Sequence, residues 1–235
     1  MNVELERYRY YFETFLDNPL FKGVSPDSIN ELLHLTKSRV CTNRTCVIDT
    51  RDTSHHFFFV ISGKLKVYVY DTKNDRQLTL TLLVPQDVFS VMSLFGGLKR
   101  KVYYETLERT ELLYVSLPEM KTWLKKNHDF SLSLMKYMAL KIQTLENSVT
   151  NIVMEDIPTR LAKLLYQNMD KNTGVIEHIN DLSHDEIGAL IGTTRSVVNR
   201  HINFFKDQGI LEVKRKYMRI TSIDALKREF DHSRV

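Results

Sequence analysis

A short polar and basic stretch near the C-terminus has the residue types and the spacing of a helix that reads DNA. It comprises Thr194, Arg195, Ser196, Asn199 and Arg200. In the major groove, arginine pairs with guanine and asparagine pairs with adenine through two hydrogen bonds each. The stretch begins a predicted helix, and a helix-turn-helix protein contacts base edges with the N-terminal end of its second helix. The pattern therefore predicts a major-groove interface.

The residues before this stretch predict a first helix and a tight turn that hold it in place. Ser183 and Glu186 have the spacing of a capping box at the start of that first helix. Gly192 stands where the helix ends, because glycine adopts a left-handed conformation without steric cost. Thr193 or Thr194 is expected to cap the second helix. The residues expected to face the core are Val197, Val198, Ile202 and Phe205.

A basic hairpin is predicted directly after the second helix. Residues 210–213 and 217–220 have the composition of two strands, and the turn between them carries Lys214, Arg215 and Lys216. From residue 194 to 220 there are seven basic and two acidic residues, an excess larger than the net charge of +4 of the whole chain. A helix-turn-helix followed by a basic hairpin indicates a winged helix that contacts DNA phosphates. A winged helix used for protein contacts is the alternative interpretation.

Composition limits the class of protein. A chain of 235 residues with 43% hydrophobic residues suits two packed domains. No apolar run approaches the roughly 20 residues of a membrane span, and the N-terminus lacks the pattern of a signal peptide. Two cysteines do not make a secreted disulfide framework, so we expect a cytoplasmic protein.

The pattern along the chain predicts three parts: residues 1–126, 127–155 and 156–235. The first begins with helices and continues from residue 38 to 118 with short strands separated by turns, which indicates a β-sandwich or jelly roll. A long helix is expected from about Phe130 to Val153, and Ile157-Pro158 marks a hinge before the C-terminal domain.

The long helix carries an apolar stripe that predicts a dimer. A stripe of this length often packs against a second copy of the chain. The alternative is a helix that lies on its own β-roll. The stripe consists of Leu132, Met135, Met138, Leu140, Ile142, Leu145, Val149 and Val153.

Four segments carry a resemblance to a known family. They are Val60–Val67, Gln86–Phe89 followed by Leu94-Phe95, Asp156–Ala162, and Glu186–Arg200 with Gly188 and Gly192. With this order of elements the chain resembles the Crp/Fnr superfamily of bacterial transcription factors, over nearly its whole length. The resemblance implies an α+β fold in which an N-terminal β-roll, a jelly roll of the cyclic-nucleotide-binding type, is joined by a long dimerisation helix to a C-terminal winged helix-turn-helix domain.

The resemblance also implies a homodimer on a near-palindromic operator of double-stranded DNA, with half-sites about 34 Å apart. Arg200 matches the family arginine that reads guanine, and Arg195 matches a residue that contacts phosphate or guanine. Ser196 departs from the family, where glutamate is commonest, so the half-site should differ. RNA polymerase is a candidate partner, although no residue pattern identifies a surface for it.

The cyclic-nucleotide branch of the family holds its ligand with a Gly-Glu pair and an Arg-Ser or Arg-Thr pair. Here the first pair falls on Ser90-Val91, so the carboxylate is missing. The second falls near Arg100-Lys101, so the hydroxyl that should follow the arginine is missing. We therefore predict that cyclic AMP does not control the protein. These four residues remain a candidate pocket for an unknown effector; Lys99, Arg100 and Lys101 could hold another anion, although a solvated basic loop is favoured.

The cysteines and histidines suggest two further sensor chemistries. An iron–sulfur cluster needs four thiolates, whereas the chain has only Cys41 and Cys46. Residues 42–45 predict a hairpin turn that would place these cysteines on facing strands as a redox pair; the favoured alternative is that both stay reduced. His55 and His56 would point to opposite faces of a strand, so at most one could ligate haem, and a surface or strand-entry histidine is the favoured alternative.

The sequence therefore predicts a DNA-binding transcription regulator. The alternative is a regulatory module that binds a nucleotide or another small anion and acts through a protein partner. We predict that the protein is not an enzyme, since it has no phosphate-binding loop and no nucleophile motif, and we expect no cofactor and no metal site.

Overall fold

The computed structural model describes residues 2–44, 47–48, 50–73, 76–97 and 101–231. The described residues form two compact units. The first unit takes residues 1–70 and 80–143, and the second takes residues 71–79 and 144–235. The division falls inside one long helix. The three-part boundaries given above stay predictions.

The first unit consists of helices and a β-rich segment between them. Its helices are α1 (Asn2–Leu16), a 3₁₀ helix (Pro19–Phe21), α2 (Pro26–Leu35), α3 (Thr50–Thr53), α4 (Val91–Leu94), α5 (Leu117–Lys126) and the first part of α6 (His128–Met154). The strands of the β-rich segment are β1 (Lys37–Cys41), β2 (Val47–Ile48), β3 (His56–Ser62), β4 (Leu65–Asp71), β5 (Arg76–Leu83), β6 (Val88–Phe89), β7 (Tyr103–Thr106) and β8 (Thr110–Ser116). Of these, the last residue of β4 and the first four of β5 belong to the second unit. The short helices α3 and α4 were not predicted from the sequence.

The strands form two four-stranded sheets, with the orders β1-β8-β3-β6 and β2-β7-β4-β5. In the first sheet, β8 pairs antiparallel with both β1 and β3. In the second, β7 pairs antiparallel with β2 and β4. Apart from β4 and β5, neighbours in each sheet are distant in sequence, which is the arrangement of a β-roll. The predicted fold class, with a β-roll, a long helix and a winged helix-turn-helix, is confirmed.

The strand β3 is buried on both faces, which explains its run of apolar residues. Phe57 and Phe59 pack into a core formed with α1, α2, α5 and α6. Phe58 and Val60 point the other way, into a core shared by the two sheets. Successive side chains of a strand alternate between faces, so one strand serves both cores. A strand covered on both sides needs a continuous apolar run rather than an alternating pattern.

Helix starts in this unit follow from local hydrogen bonds. Ser25 caps α2 by accepting from the amide of Ser28, and Pro26 stands in its first turn. Ser116 caps α5 in the same way through the amide of Glu119. Each hydroxyl satisfies an amide that has no partner within its helix.

A buried polar group ties α6 to the roll. The Tyr137 hydroxyl donates to Asp87 Oδ1 at 2.9 Å, and Lys141 Nζ lies 2.8 Å from the same oxygen. Asp87 Oδ2 also accepts from the amide of Val84 at 3.0 Å. Burial, followed by the charge of Asp87, raises the pKa of Tyr137. The first part of α6 is therefore held against its own roll by a partnered buried carboxylate.

The second unit contains the remaining helices and a small sheet. They are α7 (Ile157–Gln167), α8 (His184–Ile191), α9 (Arg195–Asp207), β9 (Leu211–Lys214), β10 (Tyr217–Ile220) and α10 (Ile223–Asp231). The amide of Ile176 donates to Met218 O at 2.9 Å. This short segment therefore lies beside β10, next to the β9–β10 hairpin. The helix-turn-helix and the wing lie where they were predicted.

The hairpin predicted around residues 42–45 is wrong. The strand before it, β1, pairs with β8, whereas β2 after it pairs with β7 in the other sheet. The chain therefore crosses between sheets at this point, because each strand finds its partner far away in sequence. Cys41 is 3% exposed. Cys46 lies outside the described residues, so the redox pair stays a prediction.

The core shared by the two sheets predicts that two phenylalanines contribute very differently to the free energy of unfolding. Phe58 is 1% exposed, whereas Phe95 is 63% exposed. We expect Phe58→Ala to lower the free energy of unfolding by about 3–5 kcal/mol, through lost burial and the cavity left behind. Phe95→Ala should change it by less than about 0.5 kcal/mol. Denaturant unfolding followed by tryptophan fluorescence measures both; equal effects would contradict the described core.

Candidate nucleic-acid interface

The first helix of the pair, α8, begins with a complete capping box. Ser183 Oγ accepts from the Glu186 amide at 3.3 Å, and Glu186 Oε2 accepts from the Ser183 amide at 2.7 Å. The two groups satisfy each other's free amides. The predicted capping box is confirmed, and it sets where α8 starts.

Two glycines allow the tight turn between α8 and α9. Gly192 ends α8 with φ 70°, and its amide donates to Gly188 O. The Thr193 amide donates to the same oxygen at 2.9 Å. A Cβ at Gly188 would lie 2.8 Å from Thr193 O, too close for any other residue. The turn therefore packs directly on the backbone of α8.

The orientation of α9 follows from one buried face. Val198, Ile202 and Phe205 are buried, as predicted, whereas Val197 is half-buried. Because a helix turns once in 3.6 residues, burial of this face directs the opposite one to solvent. Exposed on or beside that opposite face are Ser196, Asn199, Arg200 and Asn203, and Arg195 is exposed at the start of the helix. Asn203 was missed from the sequence, although it follows Asn199 by four residues and shares its face.

The start of α9 differs from the prediction in one hydrogen bond. Thr194 occupies the capping position, but its hydroxyl makes no capping bond. Its Oγ1 lies 3.0 Å from Ser196 Oγ instead. The first-turn amides of α9 therefore have no side-chain cap. Such amides, at the positive end of a helix dipole, suit a phosphate oxygen.

Both arginines of α9 have weak local partners. Arg195 Nη1 lies 3.7 Å from Asp185 Oδ2, and the two side chains are 72% and 66% exposed. An ion pair this exposed contributes little, so phosphate can replace it. Arg200 Nη2 donates to His201 Nε2 at 3.3 Å. Burial, followed by the positive charge of Arg200, lowers the pKa of His201, which keeps this ring neutral at pH 7.

The wing presents its basic residues at an exposed turn. Lys214 pairs with Tyr217 across the hairpin, so Arg215 and Lys216 form the turn, and all three basic residues are exposed. Lys216 has a left-handed φ of 55°. Asn180 Nδ2 donates to Lys216 O at 3.1 Å and supports this conformation. Asn180 was not found from the sequence, because it belongs to a distant loop.

Comparison with known proteins assigns the family. Residues 159–229 match the family model of the Crp-like helix-turn-helix domain, and residues 39–127 match that of the cyclic nucleotide-binding domain. The chain belongs to the Crp/Fnr superfamily. As a Crp/Fnr protein it is a DNA-binding transcription regulator.

Relatives of this Crp/Fnr regulator extend over most of its length. A CRP-like cAMP-activated global transcriptional regulator of Mycobacterium tuberculosis is 24% identical over 213 residues, which cover 89% of this chain and 95% of that protein. A global nitrogen regulator of Nostoc sp. is 26% identical over 186 residues, covering 76% and 82%. The structure of a CooA mutant from Carboxydothermus hydrogenoformans superposes with a TM-score of 0.71 at 25% identity, covering 84% of this chain and 89% of that chain.

The predicted effector residues of the Crp/Fnr regulator lie in different surroundings. Ser90 occupies the N-terminal capping position of α4 with a left-handed φ of 68°, but its buried hydroxyl has no hydrogen-bond partner. Val91 is 8% exposed and packs into the core that the roll forms with α1, α2, α5 and α6, here called the helix-facing core. Lys101 is exposed, and Arg100 lies outside the described residues. Ser90 and Val91 therefore provide no carboxylate for a ribose.

Aromatic rings occupy the space between the two sheets. Phe58 stacks on Phe89 with centroids 4.6 Å apart and an interplanar angle of 2°. Phe89 in turn stacks on Tyr104 at 4.6 Å. Burial raises the pKa of Tyr104 to about 12, so its phenol is neutral at pH 7. Apolar rings thus fill the roll in this region.

The two histidines considered as haem ligands, His55 and His56, lie in different surroundings. His55 is exposed, and its Nδ1 lies 2.8 Å from Arg51 O. His56 is half-buried with its ring at the edge of Tyr114. Across the described ranges, no three His, Cys, Asp or Glu side chains come together as a metal site. Nor is any described helix long and apolar enough to cross a membrane.

The capping box predicts how strongly Ser183 stabilises the helix pair. We expect Ser183→Ala to lower the free energy of unfolding by about 1 kcal/mol, because an amide of α8 loses its acceptor. Ser183→Thr is the matched control, since its hydroxyl accepts the same bond, can still donate to Glu186 Oε2, and should largely preserve stability. Thermal unfolding measures both variants. If alanine and threonine give the same midpoint, the cap does not stabilise α8.

Proposed function

We propose that this Crp/Fnr regulator binds a near-palindromic operator as a homodimer and is not controlled by cyclic AMP. The exposed face of α9 carries the proposal. Ser196, Asn199 and Arg200 project from a helix whose opposite face is buried. The basic turn of the wing supplies the charge that holds a DNA backbone.

Base reading would be divided among three side chains. A guanidinium at Arg200 can donate to O6 and N7 of guanine. Asn199 is exposed and can pair with adenine. Ser196 is short and neutral, so it is compatible with more than one base. At the same position the resemblance places a glutamate that selects cytosine. We therefore propose a half-site that differs from the commonest one of the family at the base pair facing Ser196.

The homodimer is proposed from the exposed side of α6. Met135, Ile142 and Val149 recur every seven residues and are 63%, 52% and 61% exposed. Leu145, between two of them, is 42% exposed. A seven-residue apolar repeat is the pattern of a two-stranded coiled coil. Met138 packs partly against its own core, so it serves both surfaces.

Independence from cyclic AMP is proposed from the roll. Val91 replaces the glutamate that the resemblance requires and packs into the helix-facing core. The stacked rings of Phe58, Phe89 and Tyr104 fill part of the space between the two sheets, and none of these three side chains supplies the missing carboxylate. A different small effector and a contact with RNA polymerase stay predictions.

Selection from a random DNA pool, at near-physiological salt and without ligand, tests the DNA-binding proposal. We expect an inverted repeat, and added cyclic AMP should not change its affinity. Arg200→Ala should cost about 1–3 kcal/mol and relax the preference at one base pair. Arg215→Ala is the control for charge. It should weaken binding to all DNA sequences alike and lower the slope of log affinity against log salt concentration by about one. Identical behaviour of the two variants would contradict base reading by Arg200.

The dimer surface makes a separate prediction. We expect Ile142→Asp to produce monomers, because a carboxylate would be buried against the second copy without a partner. Leu140 was predicted as part of the stripe, but the 3.6-residue turn of α6 places it on the side opposite Ile142. Leu140→Asp is therefore the matched control, at a position that is 63% exposed. Analytical ultracentrifugation distinguishes the two. A monomeric wild type, or dissociation by both variants alike, would contradict this dimer surface.

A further inference from the structure

One arginine of α7 joins the ends of two helices. Arg160 Nε donates to Glu155 O at 3.0 Å, and its Nη1 donates to Ile191 O at 2.7 Å. Glu155 directly follows α6, and Ile191 is the last residue of α8. A single half-buried guanidinium thus connects the end of the long helix to the turn that starts α9.

The chemistry of the two helix ends explains why an arginine suits this position. The last carbonyl groups of a helix lack partners within the helix and carry partial negative charge. Arginine has several N–H donors in a rigid plane, so it can serve two carbonyls in different directions. A lysine ammonium is a single point on a flexible stem and has no such fork.

Neighbouring contacts strengthen the same link. A Cβ at Gly192 would lie 3.5 Å from Arg160 Nη1 and 3.7 Å from Ile152 Cγ2, so the last turn of α6 packs at the turn between α8 and α9. Lys163, one turn further along α7, places its Nζ 2.6 Å from Glu155 Oε1. Residue 155 is therefore held by two cations of α7, and only one of them also reaches α8.

We propose that Arg160 is a positioning residue for operator binding, which sets the half-site spacing that the dimer accepts. The proposal rests on the proposed homodimeric regulator. In that dimer the two α6 helices pair, so the distance between the two α9 helices depends on how each α9 is held at the end of its α6. Two hydrogen bonds from one guanidinium fix that attachment.

The experiment compares operators that differ only in spacing. The full-length protein is titrated with the selected inverted repeat and with versions one base pair shorter and longer. For Arg160→Lys we expect about tenfold weaker binding to the selected spacing, the loss typical of one charge-assisted hydrogen bond. We also expect a smaller penalty for the altered spacings. Arg228→Lys, at an exposed position of α10, is the matched control and should behave as wild type.

The ratio of affinities between spacings separates positioning from stability. A variant that is merely less stable loses affinity for all three operators equally, and that result would overturn the proposal. Thermal unfolding and ultracentrifugation establish that each variant is folded and dimeric. If Arg160→Lys does not fold, Arg160→Gln and Lys163→Gln give the same comparison, with broadened spacing expected only for Arg160→Gln. A wild type that binds no inverted repeat would instead refute the proposed function, and this proposal with it.

Discussion

Burial of one face of α9 is the constraint on which the proposed DNA-binding surface depends. Val198, Ile202 and Phe205 lie in the core of the second unit. Their burial fixes the rotation of the helix about its axis, so Ser196, Arg200 and Asn203 project outward. The polar side chains need no hydrogen bonds of their own to set that rotation. Apolar packing therefore prepares a polar surface whose side chains can turn toward bases.

In the β-roll, apolar packing covers both faces of a sheet, whereas in α9 it covers one face of a helix. A sheet covered on both faces by apolar side chains is held by two cores at once, as the alternation of Phe57, Phe58 and Phe59 along β3 illustrates. Protein interiors are close-packed, so a ring stack of this kind resists insertion of a polar ligand. The chain matches a cyclic nucleotide-binding domain, and we propose that the residues at its ligand positions have different chemistry.

Charged and apolar contacts have different roles in this Crp/Fnr regulator. The exposed ion pair between Arg195 and Asp185 is weak and screened by salt, which suits a surface that must exchange partners. The part-buried contacts of Asp87 with Tyr137 and of Arg160 with two helix ends are less exposed to water and hold elements together. The exchangeable charges thus lie at the proposed DNA surface, and the fixed ones lie midway along α6 and at its C-terminal end.

The sequence alone determined the elements whose signals are local. The capping box at Ser183, the glycine at 192, the apolar period of α9 and the basic turn of the wing act within a few residues, so their spacing suffices to predict helix, turn and hairpin. Only the tertiary structure decided which distant segments meet. It separated β1 from β2, because their pairing partners come from far along the chain. It also brought Asn180 to the wing and Arg160 to the end of α8, through contacts over 36 and 31 residues. Such contacts form when buried faces and unpaired backbone groups find partners in the packed chain, and residue spacing carries no record of that choice.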